Sequence, residues 1–125
     1  MLLNNFFTIR QLLCTDQQID AELVIQPEHE ILKGHFPGQA VVPGVCMLEM
    51  LRECIEVALQ KKMQLQNASV VKFLTLFTPP LHTEARFVIK WTSADSEHLD
   101  ADAVLQHQEL IFLKIKCRYQ ILGKQ

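Results

Sequence analysis

The sequence lacks an excess of charge of either sign, and it lacks a long apolar run. Twelve Lys and Arg residues stand against fourteen Asp and Glu residues, which gives a net charge of −2 and a pI near 6.2. This balance argues against a nucleic-acid or anionic-membrane partner, because such partners select for basic surfaces. No apolar run approaches the ~20 residues that a membrane-spanning helix needs, so we expect no membrane span.

The first residues, MLLNNFFTIRQLL, lack the basic region and the small-residue cleavage site of a signal peptide. We therefore expect a cytoplasmic protein. Repeats, linkers and low-complexity segments are absent as well. A chain of 125 residues with 49% apolar content suits one domain with one core, spanning residues 1–125.

Cysteine and histidine residues are few and show no metal-binding spacing. The four cysteines have no C-x-x-C pair and are expected to be buried free thiols: Cys14, Cys46, Cys54 and Cys117. A zinc site or a catalytic thiol is the alternative. Four histidines show no zinc spacing and are expected to have surface or structural roles: His29, His82, His98 and His107.

Apolar periodicity predicts one hairpin, one long helix and a final run of strands. The predicted strands are 8–14, 20–26, 69–77, 85–93, 98–106 and 109–122, and the predicted helix is 43–62. The segment VCMLEML is apolar nearly all round, which predicts burial on all sides. Polar residues recur at helical spacing from Arg52 onward, which predicts that the helix then emerges from the protein. The order indicates an α+β fold, an antiparallel sheet wrapped around one helix. Such a sheet buries little surface, so we expect a dimer.

The segment KGHFPGQAVVPGVCMLEM carries the candidate chemistry. A helix starting at Pro43 presents unpaired N–H groups near Gly44 and Val45, a ready site for a carbonyl that gains negative charge. Glu49 lies one turn further along, and an apolar wall there should raise its pKa toward that of a neutral-pH proton donor. His35, on a loop constrained by Gly38, would supply a base. Acid, base and oxyanion site together suit proton removal next to a carbonyl, with loss of a leaving group.

Each of these residues also has a structural interpretation. A lone glutamate near a helix start is commonly a capping or ion-paired residue, and a lone histidine in a Gly/Pro loop is often structural.

The full pattern G-H-F-P-G-x4-P-G-x4-E resembles the active-site segment of the FabZ-type 3-hydroxyacyl-(acyl carrier protein) dehydratases, which have the hotdog fold. His35 falls on the catalytic histidine of that family and Glu49 on its catalytic acid. Gly44 falls on the glycine whose N–H binds the thioester carbonyl, and we group Val45 and Gly38 with it as oxyanion and substrate-binding candidates. The resemblance implies dehydration of a carrier-bound 3-hydroxyacyl thioester, in fatty-acid or polyene-type biosynthesis. It also makes five apolar residues candidates for lining an acyl tunnel, although core packing is the ordinary role for each: Val41, Val42, Val45, Met47 and Met50.

The resemblance also carries expectations about cofactors and partners. No metal or organic cofactor is needed. The expected partners are the acyl carrier protein and a second subunit, as a homodimer, a higher oligomer of dimers, or a heterodimer with a related chain. In the family's dimer His35 of one chain would face Glu49 of the other.

Departures from the family pattern leave other functions open. The usual Asp-Arg pair of the first strand is absent, and only Arg10 remains. Glu53 stands where the family often has Gln, and a second shielded carboxylate there could raise the pKa of Glu49. PPLHTEA replaces a Pro-Gly-Asp turn. These differences indicate a divergent, pathway-dedicated member. The alternatives are a hotdog acyl-thioester hydrolase, and a non-catalytic acyl-binding subunit of a larger synthase.

Overall fold

The computed structural model describes residues 1–33, 40–79 and 81–124. Its elements follow the chain as β1 Phe7–Thr15, β2 Gln18–Ile25, a short 3-10 helix Glu30–Leu32, α1 Gly44–Leu59, β3 Lys61–Phe73, β4 Glu84–Ser93, β5 His98–His107 and β6 Leu110–Lys124. His35 and Gly38 therefore lie outside the described residues.

The six strands form one antiparallel sheet in the order β1-β2-β4-β5-β6-β3. Strands β1 and β3 are the edges of this sheet, because each pairs with only one other described strand. Alternate residues point to opposite faces of a sheet. One face of the inner strands is accordingly buried throughout, as in the cross-strand pairs Phe87–Leu105 and Ala103–Ile115.

Helix α1 covers the buried face of the sheet. Its residues Met50, Leu51, Cys54 and Ile55 are almost fully buried and belong to the same apolar core as the inward strand residues. The α+β architecture predicted from the sequence is thus confirmed: one antiparallel sheet with one long helix. Among the described residues, none of the helices combines the length and the apolar character that a membrane crossing requires.

Two boundaries differ from the predicted ones. The helix ends at Leu59 and not at residue 62, because Gln60 adopts a left-handed conformation with φ 55° and donates its N–H to the Glu56 carbonyl. Strand β3 then starts at Lys61, eight residues earlier than predicted. The segment 65–70 forms two irregularities inside β3, where the register to β6 shifts between Leu65 and Asn67 and again between Ala68 and Val70.

The burial of α1 also runs opposite to the prediction. Its first turn is the more exposed part, with Val45 75% exposed, whereas the predicted emerging part contains buried Glu53 and Glu56. The described residues of this chain therefore do not bury the apolar segment VCMLEML on all sides. The two glutamates are buried because each finds hydrogen-bond donors, as described below.

Candidate active site

The start of α1 offers the predicted backbone donors. Pro43 is the residue before the helix, with φ −63° and ψ 147°, and no side chain of the described residues caps this end. The carbonyl of Pro43 accepts the N–H groups of Cys46 at 3.0 Å and Met47 at 3.2 Å. Among the described residues, no acceptor faces the N–H groups of Gly44 and Val45. These two groups are thus available to a ligand oxygen, as the first N–H groups of a helix commonly are.

Phe73, at the end of β3, packs against Gly44. A Cβ added to Gly44 would lie 2.7 Å from Cζ of the Phe73 ring, closer than real side chains approach each other. The ring itself is 51% exposed. Gly44 therefore has a packing reason to be glycine besides the approach of a ligand. This contact could not be predicted from the sequence, because it depends on the path of β3.

Glu49 lies one turn beyond Val45 on α1, where its side chain is 39% exposed. Its Oε1 accepts a hydrogen bond from Nη2 of Arg52 in an ion pair one turn along the helix. The prediction of an apolar wall around Glu49 is therefore wrong. The i, i+3 spacing of Glu49 and Arg52 is visible in the sequence and is typical of such helical pairs.

Arg52 also binds a second carboxylate. Its Nη1 donates to Oε2 of Glu56 at 2.7 Å, and the same oxygen accepts the backbone N–H of Met63 at 2.8 Å. Burial works against the charge of Arg52, but the hydrogen bond to Glu49 and the charges of Glu49 and Glu56 raise its pKa above the ordinary value. Arg52 is thus a fixed cation beside the candidate acid. The helical pattern of polar residues predicted that Arg52 faces solvent.

Glu53 points elsewhere. Its two carboxylate oxygens accept the backbone N–H groups of Leu2 at 3.0 Å and Leu3 at 2.9 Å, and the side chain is fully buried. Glu53 therefore fixes the beginning of the chain against α1. Glu49 is 39% exposed, so the expectation that both carboxylates are shielded together is not met.

The remaining sequence candidates divide between core and surface. Four of the five tunnel candidates are buried in the core: Val41, Val42, Met47 and Met50. The fifth, Val45, is exposed and lies beside the free N–H groups. After the undescribed residues 34–39, the N–H of Val42 donates to the carbonyl of Phe77 at 2.8 Å, which fixes the chain just before the helix.

The cysteines give little support to thiol chemistry. All four are free, and Cys14 is exposed, contrary to the prediction of burial. Burial, with a contribution from the nearby Glu49 charge, raises the pKa of Cys46. Burial likewise raises the pKa of Cys117 to about 11. A thiol with a raised pKa is a poor nucleophile at neutral pH. Within residues 1–33, 40–79 and 81–124, no three or more His, Cys, Asp or Glu residues are grouped to hold a metal ion.

A model of the protein family described as ApeI-like, ApeI dehydratase, matches residues 11–109. A search of curated proteins found no match.

Solved structures share the fold at low sequence identity. A chain of the dehydratase heterocomplex ApeI:P from Xenorhabdus doucetiae superposes with a TM-score of 0.70 and 18% identity, covering 90% of this chain and 96% of that one. A thioesterase variant from Staphylococcus aureus gives a TM-score of 0.68 at 8% identity, covering 96% and 97%. A hypothetical thioesterase with coenzyme A from Streptococcus pneumoniae gives 0.63 at 14% identity, covering 95% and 88%. The hotdog fold is thereby confirmed. The dehydratase resemblance is confirmed at the level of the family, but the FabZ-type assignment is not.

Proposed function

Since the chain belongs to the ApeI-like dehydratase family, we propose that it removes water from a 3-hydroxyacyl thioester and forms the trans-2-enoyl thioester. The observation that carries this proposal is the placement of a half-exposed carboxylate, Glu49, one turn from the N–H groups of Gly44 and Val45, which donate to no acceptor among the described residues. An oxyanion site next to a carboxylate suits elimination beside a carbonyl.

Three residues have chemical roles in the proposed reaction. His35 removes the α-proton, and the electron pair moves toward the thioester carbonyl. The Gly44 N–H stabilises the negative charge that develops on that oxygen. Glu49 donates a proton to the departing 3-hydroxyl group or positions it, and water leaves as the double bond forms. Gly38 and Val45 complete the substrate-binding set.

The proposed substrate carrier is an acyl carrier protein. The product of the proposed reaction would serve fatty-acid or polyene-type biosynthesis. The related structure from Xenorhabdus is described as a heterocomplex, ApeI:P, which supports a related subunit as one possible partner of this chain.

The edge strand β3 supports a subunit partner of either kind. Residues directly opposite each other in a ladder point to the same face. Leu65, Val71 and Phe73 pair with buried Tyr119, Ile115 and Leu113, so they lie on the helix-facing side, yet all three are exposed. Apolar residues on an unpaired edge strand are typical of a surface that another strand covers. We therefore place the dimer contact at β3.

Thioester hydrolysis is the second candidate, because two of the structural relatives are described as thioesterases. In that reaction Glu49 would activate water over the same N–H groups. Both candidates use the same site, so only the product separates them.

The experiment is incubation of the protein with a panel of 3-hydroxyacyl thioesters, varied in chain length and in carrier, followed by mass spectrometry. We expect loss of one water from the intact thioester. Release of free acid and carrier thiol, without the enoyl product, would support the hydrolase and contradict the dehydratase. Samples with and without a co-purified related subunit test whether a second chain is required.

A further inference from the structure

We propose that Arg52 is the positioning residue for Glu49, and that it orients the carboxylate by a charge-assisted hydrogen bond to one of its two oxygens. The inference rests on the proposed dehydratase function and goes further by assigning a residue that acts on the reacting groups only through Glu49.

The guanidinium of Arg52 is held at two points. One arm binds Oε1 of Glu49, and the other binds Oε2 of Glu56 at 2.7 Å. Glu56 is itself almost fully buried and is held by the N–H of Met63 at 2.8 Å, just where β3 begins. A fixed backbone group of the sheet edge thus anchors the chain of contacts that leads to Glu49.

This anchoring distinguishes Arg52 from an ordinary surface arginine. An exposed ion pair contributes little, since two long side chains must be held in one geometry against their rotamer entropy. The buried Glu56 removes much of that freedom from Arg52, whose planar fork suits two partners at once. The orientation of Glu49 is therefore set before a substrate arrives.

The contact also divides the two oxygens of Glu49 between two tasks. Arg52 binds Oε1, whereas Oε2 has no hydrogen-bond partner among the described residues. A carboxylate is an acceptor, so Oε2 can receive the hydrogen bond of the substrate's 3-hydroxyl group. Of the two roles given to Glu49 above, this arrangement favours positioning of the hydroxyl. The proton that completes the departing water then returns from His35, which took it from the α carbon.

The test is a double-mutant cycle with Arg52→Met and Glu49→Gln, measured as kcat and KM for dehydration. Methionine keeps most of the apolar stem but removes the charge. We expect kcat to fall about tenfold or more with little change in KM, since misplacing a reacting group acts mainly on the chemical step. Arg52→Lys, which keeps the charge but not the fork, should recover part of kcat. In the Glu49→Gln background, Arg52→Met should have no further effect.

The matched control is Arg118→Met, which breaks the pair between Arg118 and Asp100 at 2.7 Å on the opposite face of the sheet. It should leave kcat unchanged. If Arg52→Met does not fold, Glu56→Gln replaces it, because glutamine keeps an oxygen for the Met63 N–H but loses the charge that holds Arg52. The expected result is then a smaller fall in kcat that also vanishes beside Glu49→Gln.

A wild-type kcat in folded Arg52→Met, or an equal loss in both Glu49 backgrounds, would overturn the positioning role. These results leave the dehydratase proposal intact, because the wild-type protein is assayed in the same series. Absence of dehydration by the wild type would instead overturn the proposed function, and this inference with it.

Discussion

Glu49, Glu53 and Glu56 lie within two turns of α1, yet each carboxylate has a different partner. Arg52 binds the first and the third, and the backbone of Leu2 and Leu3 binds the second. The spacing of Glu49, Arg52 and Glu56 in the sequence already allows helical ion pairs. The direction of Glu53 could not be predicted, since it depends on where the distant first residues of the chain fold back.

A substitution at Gly44 can distinguish a role of its N–H in binding the oxyanion from a role of Gly44 in packing against Phe73. We expect Gly44→Val to lower kcat by about tenfold or more, because a side chain there blocks approach to the N–H. The melting temperature should change little, as the half-exposed Phe73 ring can rotate away from the new side chain. The measurement is steady-state dehydration with thermal melts.

Phe73→Ala combined with Gly44→Val provides the control for that prediction. Removing the ring relieves the steric conflict but leaves the N–H blocked, so kcat should stay low. Recovery of wild-type kcat in the double variant would show that Gly44 is required only for packing against Phe73.

The ionisation of Tyr119 can be followed directly by ultraviolet absorbance, because it is the only tyrosine in the chain. Burial raises the pKa of its hydroxyl above the ordinary value near 10. The neutral form therefore contributes stability that is complete below pH 10 and is lost as the pH rises above it. We expect the ultraviolet absorbance of tyrosinate to appear only together with unfolding, and Tyr119→Phe to unfold at higher pH. Tyrosinate formed at about pH 10 in a protein with native circular dichroism would contradict this.

At the scale of elements, the helix and the last three strands could be predicted because their periodicity is clear, as in the inward Leu113, Ile115 and Cys117 of β6. The junction of α1 and β3 could not. Lys61 and Lys62 continue a helical pattern as readily as they begin a strand, and the left-handed conformation of Gln60 decides between them. The polar NAS segment (67–69) lacks apolar alternation, so no strand was predicted over its first two residues. The structure includes the whole segment in β3, where the pairing with β6 is irregular.

At this scale we predict the effect of a charge on the edge strand β3. Val71→Lys places a charge among the exposed apolar residues of that strand and should dissociate the proposed dimer, which sedimentation or light scattering can follow. Leu13→Lys is the matched control, since Leu13 is an exposed apolar residue on the other edge strand, β1. A dimer that survives Val71→Lys but dissociates with Leu13→Lys would place the interface at β1 instead.

At the scale of the whole molecule, the exposed start of α1 is consistent with a site completed by a second subunit. Val45 and the adjoining N–H groups are left uncovered by the described chain, and β3 ends beside them at Phe73. The sequence predicted burial of the helix start on all sides, and the described residues of one chain do not supply that burial. A dimer in which His35 of one chain faces Glu49 of the other would account for both features.

The most direct test of this account is the dehydration rate of His35→Ala and Glu49→Gln, each alone and after the two are unfolded, mixed equally and refolded. Each variant alone should lose about 10²–10⁴-fold in kcat, since both residues are assigned to handling the proton and the hydroxyl, while melting like the wild type. With random pairing, half the dimers are mixed and each mixed dimer has one intact site, so the mixture should regain about a quarter of wild-type activity. No recovery with confirmed mixed dimers would contradict the shared site, and a fully active His35→Ala or Glu49→Gln protein would contradict the catalytic pair itself.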